Sequence, residues 1–87
     1  MSEKVKLAEK EISKCLALMR ERDKKYGDSW KEARLTSLID YVMMKFARVT
    51  KLSNNPKSNY DKIESDLQDA INYALFSLIK LREEVPK

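Results

Sequence analysis

Apolar residues recur along the start of the chain at Val5, Ala8, Ile12, Cys15, Met19 and Tyr26, with Leu16 widening the stripe. Spacings of three and four place these side chains on one face of a helix. The pattern predicts a helix over about 3–26. Gly27, the single glycine, follows where a residue of positive φ commonly ends a helix. Any other residue type in that conformation would be strained.

Ser29 followed by Glu32 has the form of a capping box, with Trp30 at the first helical position. A second helix is predicted over about 29–52, striped by Leu35, Leu38, Val42, Phe46 and Val49. Ile39, Tyr41, Met43 and Met44 make its middle apolar on more than one side. The run Ser53-Asn54-Asn55-Pro56-Lys57-Ser58-Asn59 is rich in turn formers and predicts a loop. Ser58 and Asp61 suggest a second capping box. A third helix is predicted over about 60–83, striped by Tyr60, Ile63, Leu67, Ala70, Ala74, Leu78 and Leu81, with Ile71, Tyr73, Leu75, Phe76 and Ile79 on a second flank. No alternating β pattern and no internal repeat occurs. The fold class expected is all-α: three helices in a single domain over residues 1–87.

The second and third helices carry more apolar surface than one bundle face needs. A chain of 87 residues has little core volume in which to hide it. Pairing into a dimeric helical bundle, a homodimer with a core of four or more helices, is therefore expected.

Composition narrows the classes. Hydrophobic residues make up 43% and charged residues 37%, and 18 Lys and Arg against 14 Asp and Glu give a net charge of +4. The basic residues of the first third are interleaved with acidic ones, which describes a solvated helix face. Nucleic acid is not expected as a partner on that ground, since it needs basic residues gathered on one face. One Cys excludes a disulfide scaffold, and with no His a zinc site cannot be assembled from His and Cys within one chain. No apolar run approaches the ~18 residues of a membrane span, and the N-terminal run lacks the apolar core of a signal peptide. A cytoplasmic location is expected, the host cytoplasm if the chain is viral.

The polar residues set into apolar helices carry the functional information. Lys45 and Arg48 share one face of the second helix, and Asp66 and Asp69 one face of the third. Facing each other, they form either a partly buried salt-bridge network that sets register, or a site where the cations grip phosphates and the carboxylates hold Mg²⁺. Asn72 adds an amide. Tyr26, Asp28, Ser29 and Trp30 form a second cluster, with aromatic faces for stacking on a base beside a helix N-terminus that attracts anions. Its plainer reading is two caps and a core tryptophan. Cys15, on the apolar stripe with no His to activate it, reads as a core residue.

The run Arg22-Asp23-Lys24-Lys25-Tyr26-Gly27-Asp28-Ser29-Trp30 resembles the opening motif of a phage-associated family, nucleotide modification associated domain 1. Leu38 through Arg48 (LIDYVMMKFAR) and Glu64 through Leu75 (ESDLQDAINYAL) continue the resemblance in the same order. It covers about Arg22 to Leu81, roughly two-thirds of the chain. The layout is similar, more distantly, to the MazG-like all-α nucleotide pyrophosphohydrolases. In that group E..E on one helix and E..D on a later one hold Mg²⁺ around a nucleoside triphosphate. Asp66 and Asp69 match the second pair, whereas Lys45 and Arg48 stand where the first would be. Cations there repel Mg²⁺ and attract phosphate directly.

The resemblance implies a nucleotide-binding protein linked to deoxynucleotide modification or salvage. Tyr26, Asp28, Ser29, Trp30, Lys45, Arg48 and Asn72 would contact the nucleotide, and Asp66 and Asp69 would hold Mg²⁺. Any catalysis would be metal-assisted hydrolysis of a phosphoanhydride. The alternative is a non-enzymatic helical interaction module, a dimer that docks on a viral or host protein.

Overall fold

The computed structural model describes residues 2–86. Met1 and Lys87, the ends of the expected domain, lie outside the described residues. Three long helices follow one another: α1 (Glu3–Tyr26), α2 (Leu35–Leu52) and α3 (Tyr60–Glu84). A four-residue 3-10 turn, Ser29–Glu32, lies between α1 and α2. There is no strand among the described residues, so the fold is all-α, and no helix is long and apolar enough to cross a membrane.

The boundaries of α1 and α3 follow the periodicity. Ser2 caps α1, its hydroxyl accepting from the Val5 N–H at 3.3 Å. Gly27 ends it at φ 55° and ψ −137°, its N–H donating to the Asp23 carbonyl. The positive φ is as expected, although ψ lies outside the left-handed helical well. Neither expected capping box forms. At the start of α3 the N-cap is Asn59, which makes no side-chain cap. Its amide instead donates to the Leu52 and Asn55 carbonyls, both at 3.1 Å, and so fastens the loop onto the end of α2.

The start of α2 differs from expectation. The helix begins at Leu35, not Ser29, because Ala33 and Arg34 are extended, with ψ of 146° and 154°. A straight helix from Ser29 would carry Trp30 about 12 Å along the axis beyond Leu38. The break returns Trp30 to the helix pair, where it stacks on Phe76 at 4.7 Å with 7° between the rings. The same break removes the helix N-terminus expected beside Ser29 as an anion site.

Packing is unequal. The antiparallel pair α2–α3 forms the body of the fold, and α1 leans on α3 over a smaller area. Residues 2–14 are exposed throughout. The radius of gyration, 14.3 Å, exceeds the roughly 12 Å expected for a compact chain of this length. Cys15, Leu38 and Ala70 are the fully buried apolar residues, and the buried set also includes Asp66, Asp69, Asn72 and Ser77. This polar core lies where α3 meets the other two helices.

Candidate functional site

One turn of α3 presents Asp66 and Asp69, three residues apart and both over 90% buried. Burying a carboxylate without a partner is costly, and each has more than one. Lys45 on α2 lies between them, its Nζ 3.1 Å from Asp69 Oδ2 and 3.6 Å from Asp66 Oδ1. Arg48 Nε lies 2.7 Å from Asp66 Oδ2, out of line for a hydrogen bond, so no donor points at that oxygen. Arg22 reaches from α1 to hydrogen-bond Asp69 Oδ1. Three cations thus meet two carboxylates, and one positive charge is left over.

The pairing of Lys45 and Arg48 with Asp66 and Asp69 was expected from spacing, but Arg22 was not. It occupies the gap in the stripe Cys15, Met19, Tyr26, where a heptad would place an apolar residue. An arginine at a seam position was the available signal.

Asn72, one turn beyond Asp69, ties α1 to α3. Its Nδ2 donates to the Cys15 carbonyl at 3.0 Å. A carbonyl only accepts, so the orientation of the amide is fixed, and Oδ1 is left buried with no donor. Asn72 also lines a cavity of about 550 Å³ between the end of α1, the 3-10 turn, α2 and α3. Arg22, Asp23, Lys45 and Asp69 supply charge to its lining, two of each sign, and Tyr26, Trp30, Tyr41, Tyr73 and Phe76 supply aromatic surface. Tyr41 stacks on Tyr73 at 5.0 Å, and Tyr73 meets Phe76 edge-on. Tyr41, Tyr73 and Phe76 were legible only as apolar flank, because their spacing fits core packing equally well.

Of the residues singled out in sequence, Tyr26, Ser29, Trp30, Lys45, Asp69 and Asn72 line this cavity. Asp66 and Arg48 sit behind it, joined to it through Lys45. Asp28 points to solvent and pairs with Lys31 at 3.4 Å. One face of Trp30 is covered by Phe76, and the Lys31 ammonium lies 6.0 Å from its ring centre.

Residues 22–81 match the family described as nucleotide modification associated domain 1. The chain belongs to that family. The matched span contains every residue of the ion-pair network and every residue lining the cavity except Met19, which also lines it from α1. It leaves out most of α1, the helix least engaged with the rest. No curated protein and no solved structure matches the chain.

Proposed function

We propose that the cavity binds a nucleotide, with its phosphates against Lys45 and Arg22 and its base beside Tyr26. The observation that carries this reading is the convergence of two cations, Arg22 and Lys45, with aromatic walls on one hollow. Its volume of about 550 Å³ falls within the 300–1,000 Å³ common for small-molecule sites. Arginine and lysine are the usual partners of phosphate oxygens. Trp30, already stacked on one side, acts as a wall rather than as a two-sided clamp. Membership of a family described by nucleotide modification supports the same ligand class.

The donor set does not fit a resident Mg²⁺ at Asp66 and Asp69. Both carboxylates are held by cations, and no group of three Asp, Glu, Cys or His side chains with metal-binding geometry occurs among the described residues. A divalent cation would have to displace Lys45, since Mg²⁺ sites are built from converging oxygens. We therefore assign the pair to positioning Lys45, and no hydrolytic step is built on it.

The competing reading is an interaction module whose ion pairs are purely structural. What favours it is the same pairing of Asp66 and Asp69 with cations. Titration calorimetry with a panel of deoxynucleoside triphosphates, with and without Mg²⁺, separates the two. Saturable binding of at least one, weakened about tenfold or more by Lys45→Met, is expected. No heat from any of them at about 1 mM would leave the interaction module.

A further inference from the structure

The α2–α3 pair has a second side, turned away from Lys45, Tyr73 and Phe76. There Ile39 and Phe46 of α2 and Leu67, Leu78 and Leu81 of α3 stand between 38% and 47% exposed. Between the two helices runs an apolar groove of about 270 Å³, floored by Ala74 and Ser77. The Ser77 hydroxyl is already used, donating to the Tyr73 carbonyl at 2.8 Å. In a chain that is 37% charged, none of the residues lining that groove carries a charge.

We propose that a second copy of this chain covers this side, two α2–α3 pairs packing as a four-helix layer. The surface area argues for an occupant of that size. The chain exposes 6936 Å², against about 5,300 Å² for a compact monomer of this mass. Residues 2–14 supply part of the excess. A standard interface removes roughly 800 Å² per partner, which the remainder can provide. The shape argues for a copy in particular. A two-fold interface must offer both halves of its own fit from one patch, and here large side chains, Ile39 and Leu78, flank a hollow floored by small ones.

The test is sedimentation velocity on the full chain from about 1 to about 100 µM, beside the variants Ile39→Lys, Leu78→Lys and Met44→Lys. The two face residues are half-exposed in the single chain, so a lysine there leaves the fold intact, as far-UV circular dichroism would verify. Wild type is expected to sediment as a dimer. Each face variant should raise the dissociation constant at least ~100-fold, while Met44→Lys, on the far side of α2, leaves it unchanged. A wild-type monomer throughout the range would overturn the proposal. So would a dimer that survives both face variants. None of the three positions lines the nucleotide cavity, so either result leaves the ligand reading untouched.

Discussion

Lys45 is the pivot of the polar core, and replacing it by methionine isolates what its charge does. The methionine keeps most of the aliphatic stem and removes the ammonium that lies within 3.6 Å of both carboxylates. Breaking a buried pair by deleting one partner costs about 3–5 kcal/mol. Two features lower that figure here: Asp69 retains Arg22 and Asp66 retains Arg48, and the Lys45 side chain keeps 23% of its exposure. A loss of about 2–3 kcal/mol is expected, a drop in Tm of roughly 10–20 °C for a domain of this size. Arg48→Met removes a cation more than half exposed and should cost under about 1 kcal/mol. Urea unfolding followed by circular dichroism, at one fixed protein concentration, measures both. The double variant Lys45→Met, Asp69→Asn should recover about 1 kcal/mol or more relative to the sum of the two single changes, since it removes the carboxylate that the lysine neutralised. If Lys45→Met lies within about 0.5 kcal/mol of wild type, or if Arg48→Met costs as much, Lys45 is not the electrostatic centre of the fold.

Two further outcomes follow from the same geometry. Gly27→Ala places a Cβ in open space but forces a non-glycine residue to φ 55°, so thermal melting should show a loss of about 1–3 kcal/mol from backbone strain alone. Full retention of stability would mean that the turn relaxes. Burial, with the Glu11 charge adding to it, pushes the Cys15 thiol pKa up from its ordinary value. The folded state therefore holds this proton more tightly than the unfolded state. Its contribution to stability is full below the unfolded thiol pKa, near 8.5, and is lost as pH rises through the folded value. Cys15 should react with a disulfide reagent at pH 8 far more slowly than in urea, and equal rates would contradict its burial.

The helical periodicity made α1 and α3 legible almost to the residue, because a stripe repeated over six or seven turns outweighs any local preference. The start of α2 was not legible. Ser29 and Glu32 have the spacing of a capping box, but that spacing is local, and the stacking of Trp30 on Phe76 is a contact across 46 positions that no local rule contains. The facing of Lys45 and Arg48 with Asp66 and Asp69 was readable because like-charged pairs at helical spacing on two apolar helices need partners. Arg22 was harder to see: its helix was read as a stripe of apolar positions, and the stripe was allowed to skip it.

That gap explains how the cavity arises. Helix α1 is held to α3 by few apolar contacts. Its polar ties are the Arg22–Asp69 bond and the Asn72 amide on the Cys15 carbonyl. Apolar packing closes a gap between helices, because empty space against a methyl forfeits dispersion contacts. Asn72 holds α1 close at Cys15, and the longer Arg22 side chain reaches Asp69 beside the hollow. Arginine is suited to this, since its long stem carries a planar fork of donors across a distance that Leu or Val cannot span. An apolar residue at position 22 would draw α1 onto α3, close the hollow and leave Asp69 with Lys45 alone. Arg22, Lys45, Asp69 and Asn72 thus line the same hollow that the Arg22 tie spans.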